Sequence, residues 1–533
     1  TQSTVSLAST FKPSSITISN AAYTFTAGGL AGSGFTRLMN GSTLILDTSD
    51  SSSGATLIDG GSLLQLDNGD TGGTLGSGAL TNNGALVFNA NGDAAYGYPI
   101  YGGGSITNLG SAGTITLGNN VSGNYLVQAG GGILLLQGSN SLTGGLVVSS
   151  GTVYARSLGA LGNARVQVSG GELQLIYSFD FVAPSMTLSG GLLHGVGGIS
   201  LFEGVLALAA DSQINIDTGS SLTLNNLSGI SGSGYNLTLG NGAGTLVLAG
   251  TNNSWSSVTI NTGTLQIGNG AGGNLGGGSA TVSGALAFDV AGNLIVTNPI
   301  TGSGSLAQNG PGTVSFTGDL SLLSGNVTVS AGGFGGTTTI GGPVSVLPGA
   351  TLIPGTASAI GTLTLNNGLS LGGNLSVKVN KSLAQPNDLV VVTGTLSDTN
   401  SGTLLVSNLG PALNAGDKFT LFNQAVTGGT NFAVSGGGVI WSNNLANDGS
   451  IIVISKVPRP VIQKLSLGGG NLVVSGTGGM AYDTYFLLSS TNVTTPLANW
   501  TRISTNAFDA SGNFSITNAI PAGRQNYFLL ESQ

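Results

Sequence analysis

Four aspartates at regular spacing are the residues of this chain best placed to do chemistry. Asp47 and Asp50 lie in Gly41-Ser42-Thr43-Leu44-Ile45-Leu46-Asp47-Thr48-Ser49-Asp50. Asp67 and Asp70 lie in Gly61-Ser62-Leu63-Leu64-Gln65-Leu66-Asp67-Asn68-Gly69-Asp70, and six of the ten positions agree at an offset of 20. If one coil of chain takes 20 residues, the four carboxylates fall on adjacent coils about 4.8 Å apart. Like charges that close either bind a cation or splay into water. The Gly-Gly-x-Gly-x-Asp pattern of calcium-binding nonapeptide repeats is absent. Aspartate as an ordinary turn former is therefore the plainer account of Asp47, Asp50, Asp67 and Asp70. A metal role is the sharper alternative, and no cofactor is expected.

Other chemistry is short of raw material. His194, in Leu192-Leu193-His194-Gly195, is the single histidine, and there is no cysteine. A lone imidazole cannot build a zinc site or a histidine-dependent triad, so His194 reads as a solvated or capped turn residue. Glutamate occurs only at 172, 203 and 531, and no Lys or Arg lies in the 212 residues between Arg165 and Lys378. Glycosidases need two carboxylates a few ångströms apart. Lyases need a base, often with Ca²⁺ held by carboxylates. No catalytic residue is expected, and the chain reads as a non-enzyme.

Whatever these side chains do, the elements that hold them are short strands. Among 533 residues there are 94 Gly, 12 Lys+Arg and 20 Asp+Glu. The charged fraction is 6 %, against roughly 25 % in ordinary soluble domains. A hydrophobic fraction of 40 % with a net charge of −8 is the opposite of the disordered signature. The glycines lack a Gly-X-Y period, so collagen is excluded. No run of 18 apolar residues suggests a membrane span. No Lys/Arg cluster suggests nucleic acid. Runs such as Gly244-Thr245-Leu246-Val247-Leu248 and Gly263-Thr264-Leu265-Gln266-Ile267 alternate, so Leu265 and Ile267 share one face of a strand. Gly and Asn end each run, because they tolerate tight corners.

Self-comparison shows three ungapped repeats. Besides the offset of 20, Leu75–Phe88 aligns with Leu275–Phe288 at an offset of 200. Gly132–Val153 aligns with Gly244–Leu265 at an offset of 112. Short strands at this spacing suit a sandwich, a barrel or a solenoid. The repeat at 20 favours a solenoid, in which each coil stacks on the last. At 20 residues per coil, 455 residues would give roughly 23 coils and a rod of ~110 Å.

The same residues carry a resemblance. Gly-x-Gly-Thr-Leu-x-Leu-x-Gly-x-Asn at 242–252, Val258-x-Ile260-x-x-Gly263-Thr264-Leu265 and Leu275-Gly276 resemble the autotransporter-associated β-strand repeat of exported bacterial passenger proteins. A copy at 130–162 is similar. The resemblance covers roughly residues 30–330 and implies a right-handed parallel β-helix on the outside of the cell. It departs from a whole autotransporter in that no membrane barrel follows within this sequence.

The expected fold is all-β: a right-handed parallel β-helix (β-solenoid) followed by a small C-terminal β-sandwich. Residues 1–30 form an N-terminal strand or first-coil segment. Residues 31–334 form the solenoid repeats, and 335–457 a less regular continuation. The boundary is Lys456-Val457-Pro458-Arg459-Pro460, since two prolines block ladder hydrogen bonds. Residues 458–533 hold 8 of the 31 aromatics and resemble the small β-sandwich tail module of large secreted repeat proteins. Its expected core is Tyr485, Phe486, Leu488, Trp500, Ile503, Phe508, Phe514, Ile516, Tyr527 and Phe528.

The start at Thr1 without Met reads as a mature chain after signal-peptide removal, hence extracellular or cell-surface. Residues 1–10 alternate like an exposed strand, with Val5 and Leu7 on one face. An edge strand without a cap templates pairing. The leading functional expectation is a structural protein assembling head to tail. In it the N-terminal segment of one copy pairs with the C-terminal module of the next, giving an open filament or sheath. A monomeric surface adhesin or passenger is the alternative, and a polysaccharide-acting β-helix enzyme the second alternative.

Overall fold

A computed structural model describes every residue except 1, 182, 184, 227, 401, 458, 520–525 and 533. Thr1 of the expected N-terminal strand and Pro458 of the expected boundary thus lie outside the described residues. From Ser3 to Gly436 the chain winds as a parallel β-solenoid of about 18 turns. Within each ladder, every inner strand pairs in parallel with the strand one coil earlier and the strand one coil later. Leu44 sits beside Leu64 and Leu126 beside Leu146, at the offset of 20 that the repeat anticipates.

Three long ladders carry most of the winding. A 12-stranded sheet runs from Ser3–Phe11 to Ile230–Ser231, and an 11-stranded sheet from Ala94–Tyr96 to Ile300–Thr301. A second 11-stranded sheet runs from Asp180–Phe181 to Leu396–Asp398. A 7-stranded sheet from Asn293–Val296 to Ala433–Gly436 continues where earlier ladders end.

Alternation along each strand sorts the side chains. Leu44, Leu46, Leu64 and Leu66 are buried, while Ile45 and Gln65 between them face outward. The inward rows merge into one continuous core. Phe288, Phe316 and Phe334 stack within it on successive coils, with ring centroids 5.7 and 5.2 Å apart. Corners use glycine where the backbone requires it: Gly41 and Gly61, one coil apart, have φ of 72° and 78°. Buried glutamines finish other corners. The Gln128 amide donates to the carbonyls of Gly130 and Gly132, and Gln308 repeats this on Gly310 and Gly312. These bonds satisfy turn carbonyls that no strand reaches.

The count of roughly 23 coils is too high, because the coils lengthen. Val344 pairs with Leu369 after 25 residues, Leu369 with Leu396 after 27 and Leu404 with Val434 after 30. About 18 turns rise roughly 90 Å at strand spacing. In one of the long coils a buried ion pair fixes the loop. The Lys378 ammonium lies 2.8 Å from Asp388, whose side chain is fully buried, and also donates to the Pro354 carbonyl at 3.0 Å. Asp388 accepts further bonds from the N–H groups of Gly361 and Lys378. Burial still holds its carboxyl above the usual range.

Beyond the parallel ladders the pairing turns antiparallel. Lys418–Thr420, Val439–Asn444 and Ser450–Lys456 form one such sheet, with Phe419 edge-on to Trp441 at 6.0 Å. Two three-stranded antiparallel sheets follow: Val461–Gly468, Asn471–Thr477 and Phe514–Ala519, then Thr501–Ala507, Thr484–Ser490 and Tyr527–Ser532. Both contribute to one small core, separate from that of the solenoid, around Tyr485, Phe508 and Phe514. Trp500, expected in that core, lies outside it, half-buried, with its ring N–H donating to the Thr495 carbonyl at 2.9 Å. Tyr527 is likewise half-buried.

Candidate functional site

The acidic repeat folds into a cluster of three carboxylates. Asp47 continues the strand Thr43–Asp50, and Asp67 follows the strand Leu63–Leu66, whose pairing ends at Leu46 beside Leu66. At Asp67 the chain enters the left-handed region, with φ of 69°. Asp and Asn reach that region more readily than other side-chain-bearing residues. The turn swings Asp70 back, so that carboxylate oxygens of Asp47, Asp67 and Asp70 lie within 4.8 Å of one another.

Asp50 is not part of the cluster, contrary to the expectation of four stacked carboxylates. Its carboxylate accepts the Ser52 N–H at 2.8 Å, and its own N–H donates to the Thr74 hydroxyl. The cause is the turn at Asp67: past it, residues 68–70 no longer run opposite 48–50.

The electrostatics of the cluster favour a held proton. Asp67 is fully buried and accepts N–H groups from Asn68, Asp70 and Gly73 at 2.7, 3.0 and 3.2 Å. Burial, then the bond to the Asp70 side chain, pushes its carboxyl up against those donors. Asp70 is held low, chiefly by the same bond. Asp47 is pushed up by burial and by its two acidic neighbours. A proton on Asp67, donated to Asp70, satisfies this arrangement without an ion. The donor set also matches what Ca²⁺ takes, although that ion needs 6–8 oxygens.

The histidine is not a turn residue. His194 sits within the strand Leu192–Val196, and its neighbours on adjacent coils are Gln174 and Asn215. Its Nδ1 lies 2.7 Å from Glu172 and its Nε2 2.8 Å from Asp217. The two carboxylates come from the coils before and after. Both ring nitrogens face acceptors, so both carry protons and the ring is an imidazolium. The bond to Glu172, helped by Asp217, raises the His194 pKa against the cost of burial. Glu172 is held low in turn, and it also accepts the Gln174 amide.

This triad was invisible to a search for constant spacing. Its members lie 22 and 23 residues apart because they meet diagonally: the coils there take 20 and 21 residues, and Glu172 and Asp217 each sit two residues from Gln174 and Asn215, the register partners of His194. It is poorly placed for acid–base catalysis, because each nitrogen is already engaged by a carboxylate. Nearby, the Arg156 guanidinium donates to the Tyr177 hydroxyl at 2.9 Å and lies 5.1 Å from the centre of that ring.

Two stretches of the solenoid, residues 126–155 and 241–267, match the Passenger-associated-transport-repeat family. They coincide with the segments whose strands stack around Leu134 and Leu246. Over 448 residues, or 80 % of this chain, the sequence is 28 % identical to the adhesin BmaC autotransporter of Brucella suis biovar 1 (strain 1330). The chain spans 12 % of the length of that relative. Among solved structures, the crystal structure of the Haemophilus influenzae Hap adhesin aligns with 85 % of this chain and 64 % of its own, at 11 % identity and a TM-score of 0.31. The chain is thus a parallel β-solenoid that carries passenger-associated transport repeats and resembles the passenger of an exported autotransporter.

Proposed function

We propose that this chain is a non-enzymatic adhesive passenger segment displayed at the bacterial surface. The observation that carries the reading is the similarity to an autotransporter adhesin across 80 % of the chain. The architecture supports it: inward rows supply the stability, and the outward rows are left free to vary for recognition. Surface or extracellular location, right-handed winding and a sandwich arrangement of the two C-terminal sheets belong to the same proposal. The direct test is adhesion of beads coated with the purified chain to epithelial cells and to glass. Retention well above that of albumin-coated beads is expected, and retention at the albumin level refutes the reading.

Head-to-tail assembly, the leading expectation from sequence, gains no support from the relatives. Two observations keep it as a second reading. The nine-residue strand Ser3–Phe11 pairs with one neighbour, and the strand Val461–Gly468 also pairs on one side while exposing Val461, Leu465 and Leu467. Such edges can accept a further strand. Sedimentation of the full chain decides: a monomer across micromolar concentrations rules assembly out, and polymers lost on deleting residues 1–12 support it.

A further inference from the structure

One long ladder carries a groove that neither cluster uses. On four consecutive coils the outward positions stack in register as Thr328, Ser345, Ser370 and Ser397. Beside them is a depression of about 350 Å³. Coil length explains its place. Leu306 pairs with Val327 after 21 residues, Val327 with Val344 after only 17, and Val344 with Leu369 after 25. The short coil has less chain for its corner, so the longer coils beside it form walls.

The polar groups in this groove are unspent. Among the described residues, none of the four hydroxyls has a hydrogen-bond partner within the chain. The Asn326 amide is also free. Asn367 uses only its carbonyl oxygen, on the Gly368 N–H at 2.8 Å. The face around His194 is the opposite case, since Glu172, Gln174, His194 and Asp217 bond one another. No charged residue lines the groove, and Pro343 adds an apolar surface. Unpartnered donors and acceptors in a concave, neutral site are groups that a ligand can satisfy.

We propose that this groove binds an extended strand of a neutral polysaccharide. Three coil spacings separate Thr328 from Ser397, roughly 14 Å, a length that holds a short run of sugars. The advance per coil is comparable to the advance per sugar in an extended glycan, so successive sugars meet equivalent hydroxyls. Lack of lining charge argues against uronic acids, sulfated sugars and amino sugars, whose charge would be desolvated without a partner. The inference deepens the adhesive reading by naming a ligand class, and rests on it only for biological role.

The test uses the full chain and titration calorimetry with soluble glucan, mannan, hyaluronan and chitosan oligosaccharides. The comparison protein is the double variant Ser345→Ile/Ser370→Ile, which removes two hydroxyls and fills the floor with groups that suit an outward strand position. Saturable binding to a neutral glycan, weakened more than tenfold in a variant of unchanged melting temperature, supports the site. If that variant melts early, Thr328→Val with Ser370→Ala replaces it, with a several-fold loss expected. No binding to either neutral glycan, binding to the charged glycans alone, or equal affinity in a folded variant overturns the proposal. Bead adhesion is measured in parallel. Adhesion without neutral-glycan binding sinks the groove and leaves the adhesive reading intact, while glycan binding without adhesion does the reverse.

Discussion

Replacing His194 by glutamine should loosen three coils locally at mildly acidic pH, an effect that fades at high pH. In the native chain the imidazolium links Glu172 and Asp217 across three coils by bonds of 2.7 and 2.8 Å. A hydrogen bond to a charged group contributes about 1.5–3 kcal/mol. Asp217 is 46 % exposed, and an ion pair that wet adds little. The Glu172 bond, with both side chains three-quarters buried or more, therefore dominates, at about 2 kcal/mol in all. That corresponds to roughly 30-fold in local opening.

The pH window follows from the two shifts. His194 is raised above its ordinary 6.5, so its contribution is complete below pH 6.5 and is lost as pH rises through the raised value. Glu172 is held below its ordinary 4.5, so its contribution is present above pH 4.5 and is lost as pH falls through the lowered value. The pair therefore stabilises most between about pH 4.5 and 6.5. The assay is amide hydrogen exchange of residues 172–176, 192–196 and 212–216, native against His194→Gln, at pH 5.5 and pH 9. Exchange in the variant should be roughly 30-fold faster at the lower pH, and the ratio should collapse at the higher. A ratio near one at pH 5.5, or an equal ratio at both, refutes the bracketed imidazolium.

Further outcomes follow from the same geometry. Lys378→Met strands the fully buried Asp388 carboxylate, which should cost about 3–5 kcal/mol and appear as lost amide protection around residues 374–392. Asp67→Asn keeps an acceptor for the Asn68 and Asp70 N–H groups and removes the need for a held proton, so the melting temperature should hold or rise at pH 7. If Ca²⁺ instead holds the cluster, calcium raises the native melting temperature and Asp67→Asn abolishes that rise. Phe316→Ala opens a hole between Phe288 and Phe334 and should cost about 3–5 kcal/mol. Exchange mapping should place that loss in the flanking coils and leave the core of the C-terminal sheets untouched.

The solenoid was legible because two periods coincide in the sequence. Alternation along Leu44–Leu46 and Leu64–Leu66 sets the inward face, and the offset of 20 sets the stacking partner. Where the coil length departs from 20, that legibility ends. Glu172, His194 and Asp217 escape it for a second reason: each carboxylate reaches His194 diagonally, two residues off its register partner Gln174 or Asn215, which an alignment at one offset does not pair. The groove at Ser345 exists because one coil takes 17. Asp50 leaves the acidic cluster because Asp67 adopts a positive φ, a single-residue event that no repeat alignment records. Local pattern specifies strand and face; the length of each corner decides which outward side chains become neighbours.

That division bears on what so few charges are for. Most ion pairs of the solenoid join neighbouring coils: Arg37 with Asp59, His194 with Glu172 and Asp217, Lys381 with Asp417. Apart from His194 with Glu172, the more exposed of these pairs contribute little energy each, so for them stability is not the main effect. A slip of one residue between coils would turn an inward row outward. A slip of two keeps the row inward, and where the rows are nearly interchangeable Leu, Val and Ile, registers two residues apart differ little in packing on a local scale. An ion pair between coils adds a preference that the apolar rows lack, because it forms in one register alone. With charge used between coils in this way, long stretches of the outward surface stay neutral. On such a surface, recognition depends on shape and on unpartnered hydroxyl and amide groups, such as those at Ser345, where the coil length changes.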